Sequence, residues 1–167
     1  MYFKPFFKLI FFVLITSFLL IGCGEKTKKD NEEPLYPTQK SETPKNQIVI
    51  NSNDQMQFDL KEIKVKPNTE VTVKLNHTGN LPANVMGHNF VLLKKGVDLV
   101  DFATQAASQK EQQYIPENTN DIIAYTKLIG GGESTTVTFT TPEKGTYDFI
   151  CSFPGHYGIM QGKFIVE

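Results

Sequence analysis

The chain has 167 residues, of which 40% are hydrophobic, and its formal net charge at pH 7 is -1. This length allows one folded domain with some sequence to spare, and the near-neutral charge argues against a nucleic acid as partner. Glycine, proline, threonine and valine are frequent and helical heptads are absent, so the composition favours an all-β domain.

The first 22 residues predict a secretory signal. Lys4 and Lys8 give a short basic start, and an almost unbroken apolar run over residues 9–21 follows. The run ends in Leu-Ile-Gly-Cys at Cys23, which resembles the bacterial lipobox, in which the cysteine is lipidated and begins the mature chain. We therefore expect export, with a periplasmic or extracellular domain anchored to an envelope membrane through lipid on Cys23. An uncleaved membrane anchor is the alternative.

The residues that follow the signal predict a flexible linker. Lys, Glu, Thr, Pro and Asn dominate residues 24–45, and Leu35 and Tyr36 are the only large apolar side chains there. Such a composition cannot bury a core. We therefore divide the chain into a signal peptide (1–22), a lipidated cysteine with its linker (23–46) and a folded domain (47–167).

Alternating apolar and polar residues predict strands along the folded domain. The expected strands are residues 48–50, 63–66, 70–75, 88–93, 134–140, 147–150 and 163–166. Residues 98–112 instead have apolar side chains at helical spacing, and Asp98 and Asp101 suit the start of a helix. Short strands with one inserted short helix predict an all-β, Greek-key β-sandwich.

The last quarter of the chain predicts a metal site. Cys151, His156 and Met160 lie within ten residues, between the last two predicted strands. Cys23 and Cys151 are the two cysteines, so Cys151 has no disulfide partner if Cys23 carries lipid. An unpaired thiol in an exported protein is prone to oxidation, and metal ligation would hold it as a protected thiolate. A thiolate and imidazoles with a distant thioether are typical of blue copper. His88, which opens an apolar segment directly after Gly87, is the candidate for the second imidazole.

Four segments, in order along the chain, resemble azurins, which are blue copper proteins with a cupredoxin fold. They are NDQMQF at residues 53–58, NHTGNLPANVMGHNF at 76–90, TKLIG at 126–130 and the segment 151–160. The resemblance covers residues 47–167, and the spacing from Cys151 to His156 is that of azurins. It implies one copper ion, Cu(I) or Cu(II), with His88, Cys151 and His156 as ligands, Met160 as a weak axial ligand and the Gly87 carbonyl facing the metal.

The resemblance also implies roles around the ligands. Asn89 would brace the ligand loop and the Cys151 sulfur by hydrogen bonding, and Phe153 would pack beside the site and keep water out. An apolar patch around His156 would dock redox partners. We define this docking patch by four residues: Met56, Leu81, Met86 and Pro154.

Two departures from azurins are visible. Asn46 and Thr69 stand where azurins have a disulfide, and Phe90 stands where a buried Trp is often found. Neither change involves a ligand. His77 is interpreted as a packed, hydrogen-bonded side chain.

These features predict a carrier of single electrons between redox proteins such as c-type cytochromes or respiratory complexes. A copper storage or delivery protein is the alternative, although the closed ligand set favours the carrier. We expect no enzyme activity and no small-molecule substrate, because His77 alone remains for a catalytic metal.

Overall fold

The computed structural model describes residues 46–167, which form two packed β-sheets. The predicted signal peptide, Cys23 and almost all of the linker lie outside the described residues. The strands are, in chain order, Gln47–Asn53 (β1), Gln57–Phe58 (β2), Glu62–Val65 (β3), Glu70–His77 (β4), Val91–Leu93 (β5), Ile122–Tyr125 (β6), Ser134–Thr140 (β7), Gly145–Ile150 (β8) and Gln161–Val166 (β9). One sheet has the order β2-β1-β4-β7, and the other has the order β3-β9-β8-β5-β6. The predicted sandwich is confirmed.

Alternation along the strands places the core between the sheets. In β4, Val71, Val73 and Leu75 are buried, whereas the residues between them are partly exposed. Phe149 of β8 and Phe164 of β9 are fully buried in the facing sheet. Burial of these large side chains is the main stabilising contribution to such a domain.

The strand expected at residues 88–93 is shorter than the prediction. Only Val91–Leu93 is a strand, and His88 forms an isolated bridge with Ile129. Between them, the Phe90 amide donates to the Thr126 hydroxyl, 3.0 Å away, instead of to a backbone carbonyl. A side chain therefore interrupts the ladder just after the predicted ligand.

The helical region also differs from the single predicted helix. A helix at Leu99–Ala107 (α2) is capped by Asp98, whose side chain accepts from the amides of Val100 and Asp101, and a separate 3₁₀ helix covers Lys110–Gln112. The sequence did not predict the four-residue helix Ala83–Met86 (α1), nor β2 and β6. None of the helices within residues 46–167 has the length and apolar character needed to cross a membrane.

Hydrogen bonds hold the start of the domain at Asn46 and Thr69, two of the positions at which the sequence departs from the resemblance. The Asn46 side-chain amide donates to the Glu70 carbonyl at 3.0 Å, and the Asn46 carbonyl accepts from the Thr72 amide at 3.1 Å. The Thr69 amide donates to the Thr141 hydroxyl at 2.9 Å. The first described residue is thereby attached directly to β4.

Candidate metal centre

Three buried donor atoms meet at one end of the sandwich. The Cys151 sulfur lies 3.8 Å from Nδ1 of His88 and 3.7 Å from Nδ1 of His156. All three ligand atoms lie within 4.8 Å of one another. The relative exposure of the residues is 0% for His88 and Cys151 and 3% for His156.

A backbone carbonyl fixes the orientation of His88. Nε2 of His88 lies 2.8 Å from the carbonyl oxygen of Asn53, at the end of β1. Since a carbonyl can only accept, the ring proton is on Nε2, and the lone pair of Nδ1 faces Cys151. The His77 ring stacks on His88 with 4.4 Å between centroids. The sequence did not reveal the role of Asn53, because a backbone carbonyl has no signature in the side chains.

The ligand loop is folded by its own backbone. The Cys151 amide donates to the Met160 carbonyl at 2.9 Å, and the Met160 amide donates to the His156 carbonyl at 2.8 Å. The His156 amide donates to the Phe153 carbonyl at 3.0 Å, and Gly155 has φ +84. A proline followed by a glycine with positive φ is the pattern of a type II turn, so Pro154 and Gly155 bring His156 back toward Cys151.

Gly87 brings its carbonyl oxygen to 3.8 Å from the Cys151 sulfur. A Cβ at this position would lie 2.3 Å from the Ala83 carbonyl oxygen and 2.9 Å from the Leu128 side chain. Only glycine therefore lets the backbone approach so closely. Met160, the predicted axial ligand, is fully buried in the same core cluster as Cys151.

Asn89 connects the two segments that carry the ligands. Its side-chain oxygen accepts from the Ser152 amide at 2.9 Å, and its side-chain nitrogen lies 2.9 Å from the Ser152 hydroxyl. That hydroxyl donates to the Tyr114 carbonyl at 2.7 Å. The backbone amides of Asn89 and Phe153 approach the Cys151 sulfur. Ser152, which the sequence analysis missed, could have been suspected from its position next to Cys151.

Aromatic packing covers His156. The Phe153 ring lies 4.5 Å from the His156 ring and 5.0 Å from the Tyr114 ring, measured between centroids. Tyr114 is buried, and no sequence pattern singled it out. The position of Phe153 suits the predicted role of keeping the site dry.

His77 lies behind the site with both ring nitrogens engaged. Nδ1 accepts from the Gly79 amide at 3.1 Å, so Nε2 carries the proton and donates to the Met86 carbonyl at 2.9 Å. These bonds agree with the interpretation of His77 as a packed side chain.

Burial shifts the titration of all three donors toward their uncharged forms. Desolvation lowers the pKa of His88 and of His156 to about 4. Desolvation also raises the pKa of Cys151 to about 12. In the metal-free domain at pH 7, both imidazoles are therefore neutral and ready to bind a metal, whereas the sulfur carries a proton.

The donor set fits copper. Zinc, a first-row metal of similar size, typically binds imidazole nitrogens at about 2.0 Å and thiolates at about 2.3 Å. In a trigonal arrangement, a metal at these distances would hold the sulfur and each nitrogen about 3.7 Å apart. The observed sulfur-to-nitrogen separations are 3.8 and 3.7 Å. Two imidazoles, one thiolate and a buried methionine are the donors of blue copper sites.

Comparison with known proteins agrees with this chemistry. The sequence profile described as "Copper binding proteins, plastocyanin/azurin family" matches residues 44–167. The chain belongs to the plastocyanin/azurin family of copper-binding proteins. The azurin of Pseudomonas aeruginosa is 45% identical over 125 aligned residues, and the match covers 72% of this chain and 84% of that protein. The azurin of Pseudomonas fluorescens biotype C is 44% identical over 125 residues, covering 72% of this chain and 97% of that protein.

Solved structures of family members have the same fold. Azurin Az-iso2 of Methylomonas sp. strain J has a TM-score of 0.68 and 34% identity, covering 74% of this chain and 98% of its own. Auracyanin A of Chloroflexus aurantiacus, described as a "blue" copper protein, has a TM-score of 0.67 and 33% identity over 72% of this chain and 98% of its own. The chain is a blue copper electron-transfer protein with an azurin-like cupredoxin fold.

The docking patch that the azurin resemblance implies lies on segments close to the metal site. Leu81 is 38% exposed, Pro154 is exposed, and Met56 and Met86 are partly exposed. The sequence analysis did not include two further exposed apolar residues on these segments. They are Val85 in α1 and Ile159 in the ligand loop, with relative exposures of 53% and 52%.

The pKa values of the donors predict the proton balance of copper binding. At pH 7, Cu(II) should displace about one proton, from Cys151, because the imidazoles lose theirs well below this pH. Below about pH 4, protons should compete for both imidazoles, so copper affinity should fall steeply. Titration calorimetry in buffers of different ionisation enthalpy measures the protons released. Release of two or more protons at pH 7 would contradict the neutral imidazoles, and Cys151→Ser should release none.

Proposed function

We propose that this protein carries single electrons between redox proteins of the cell envelope. His88, Cys151 and His156 would hold the copper, with Met160 and the Gly87 carbonyl as weaker ligands. Bound copper would supply the one-electron couple between Cu(I) and Cu(II). The observation that carries the proposal is the convergence of one buried sulfur and two buried Nδ1 atoms at 3.7 and 3.8 Å.

The residues around the donors would keep the ligand geometry the same in both oxidation states. The Asn53 carbonyl orients one imidazole, the Pro154–Gly155 turn places the other, and the Asn89 side chain joins the two segments. A site that does not rearrange loses little energy when an electron moves. Fixed donors are also typical of functional sites built on rigid elements.

This rigidity favours electron transfer over copper delivery. A delivery protein needs ligands that a recipient can displace, whereas His88 and Cys151 have no exposed surface. His77 is no ligand for a second, catalytic metal, because the Gly79 amide and the Met86 carbonyl engage its two nitrogens. We therefore propose a carrier that turns over no substrate.

Electrons would pass through His156 at the docking patch of Met56, Leu81, Met86 and Pro154. His156 is 3% exposed and lies between exposed loop residues, so a partner on this face would come close to the imidazole. An apolar, weakly charged face suits brief encounters with partners such as c-type cytochromes or respiratory complexes.

We further propose that lipid on Cys23 anchors the exported domain through the linker. The linker joins the domain at Asn46, next to Gln47, whereas Asn53 at the other end of β1 contacts His88. Six residue steps of a strand separate these ends by about 20 Å. The attachment point would thus lie away from the copper end, which stays free for partners.

Replacement of the thiolate tests the copper assignment. In Cys151→Ser, the intense blue absorption should disappear, because it arises from the bond between the thiolate and copper. Gly158→Ala is the matched control, since a Cβ at Gly158 meets no atom within 4 Å. The visible spectrum of each copper-loaded variant is the measurement. A retained blue band in Cys151→Ser would refute the assignment.

Replacement of the other cysteine tests the anchor. Cys23→Ala should move the protein from the membrane fraction to the soluble fraction, because the site of lipid attachment is lost. Fractionation of cells followed by immunoblotting measures the distribution. Cys151→Ser retains Cys23 and should stay with the membrane. Continued membrane association of Cys23→Ala would instead indicate an uncleaved apolar segment.

A further inference from the structure

The Asp54 carboxylate connects two surface loops that belong to different strands. Asp54 lies between β1 and β2, and its Oδ2 accepts from the Asn80 amide at 2.8 Å. Its Oδ1 accepts from the Leu81 amide at 3.3 Å. Asn80 and Leu81 follow β4, so these bonds join segments 26 and 27 residues apart in the chain.

The loop that follows β4 leaves space for the Asp54 carboxylate at Gly79. A Cβ at Gly79 would lie between 2.1 and 2.7 Å from the three carboxyl atoms of Asp54, so any side chain there would displace them. The bond from the Asn80 amide is the largest cause that lowers the pKa of Asp54. The carboxylate stays ionised at neutral pH, and its bonds to the two amides are charge-assisted.

Both loops carry residues of the docking patch. We call residues 54–56, between β1 and β2, the Met56 loop, and residues 78–82, between β4 and α1, the Leu81 loop. Met56 is two residues after Asp54, and Leu81 donates one of the two amides. Met56 has φ +56, a conformation that a residue other than glycine keeps only when its surroundings impose it. The turn between Asn53 and Met56 is closed by two bonds, from the Met56 amide to the Asn53 carbonyl at 3.2 Å and from the Gln55 amide to the Asn53 side-chain oxygen at 3.0 Å.

The copper ligands, by contrast, make no hydrogen bond to this carboxylate, which acts on the His88 ring only through its charge. His88 is oriented by the Asn53 carbonyl and by its bridge to Ile129, and the ligand loop is held by its own backbone bonds and by Asn89. Loss of the Asp54 bonds should therefore free the loops while the ligand geometry stays as it is.

We propose that Asp54 is a positioning residue that holds the Met56 loop and the Leu81 loop in the one arrangement that docks redox partners. This inference rests on the proposed function, because it needs the docking patch to be the route of the electron. A second copy of this protein serves as the partner, because electrons that pass through His156 can move between an oxidised and a reduced copy only when the docking patches of the two copies meet.

Asp54→Asn is the test variant, and Asp59→Asn is its matched control. The Asp59 carboxylate also accepts two bonds, from the amide and the side chain of Asn51 at 2.8 and 2.7 Å. Both substitutions preserve size and remove one negative charge. Asp59 follows β2, however, and its carboxylate bonds to Asn51 of β1, with no hydrogen bond to either patch loop.

Self-exchange rates come from NMR line broadening in mixtures of the oxidised and reduced full-length protein in mild detergent, at an ionic strength that screens the single charge change. We expect Asp54→Asn to slow exchange about tenfold, as when the freed loops of each of the two copies are in the docking arrangement about a third of the time, because both copies must be in it to exchange an electron. Asp59→Asn should stay within about twofold of the wild type by the same reasoning. The blue band should not change in either variant. The reduction potential of Asp54→Asn should rise slightly, because the substitution removes a negative charge that acts on His88. This shift does not affect self-exchange, since the two copies of one variant have the same potential.

A double-mutant cycle separates positioning of the patch from general stability. In a Leu81→Ala background, one of the two patch side chains that Asp54 positions is gone, so Asp54→Asn should slow exchange less than it does alone. A loss of rigidity elsewhere in the fold would slow exchange equally in both backgrounds.

Three outcomes would overturn the inference. Asp54→Asn could exchange as fast as Asp59→Asn, its effect could be undiminished by Leu81→Ala, or it could shift the blue band, which would place its action at the ligands. A wild-type protein without a blue band would overturn the proposed function as well. A blue wild type whose exchange is indifferent to Asp54→Asn would overturn the inference alone.

Discussion

The buried meeting of one sulfur with two imidazole nitrogens is the constraint on which the rest of the structure depends. Cys151 and His88 are 63 residues apart, so the sandwich must pair β5 with β8 before the donors can meet. Burial makes the metal-free site costly to charge, as the lowered pKa values of the imidazoles and the raised pKa of Cys151 indicate. A cation that accepts neutral imidazoles and displaces one thiol proton resolves this cost.

Each donor is held from outside by a different part of the fold. Asn53 at the end of β1 orients His88, a type II turn within the ligand loop returns His156, and Asn89 fastens Ser152 beside Cys151. Because these supports are backbone groups or buried side chains, the donors would keep one geometry through the redox cycle. The same end of β1 carries Asp54, so the metal site and the partner-facing loops share one scaffold.

Much of this was predictable from the sequence. The spacing of Cys151, His156 and Met160 indicated a metal loop, and alternation in segments such as β4 and β7 indicated strands, because each of these signals is local. The prediction of one strand over residues 88–93 was too long, since the Thr126 hydroxyl replaces a ladder partner there. A side chain 36 residues away leaves no mark on the local pattern.

The missed features share this physical origin. The Asn53 carbonyl, the two amides bound by Asp54 and the packing of Tyr114 depend on contacts between segments distant in the chain. The four-residue α1 is too short to have an apolar period, and the two-residue β2 is too short to alternate. Local pattern therefore identified the donors, whereas tertiary structure was needed to show what holds them.

The central claim is that the buried donors hold copper in a site that passes one electron reversibly. Its most direct test is the visible spectrum of the copper-loaded protein during a cycle of reduction by ascorbate and reoxidation. We expect an intense blue band that bleaches on reduction and returns in full on oxidation. A colourless or weakly coloured copper complex would contradict the claim, because the Cys151 thiolate would then not be bound to the metal.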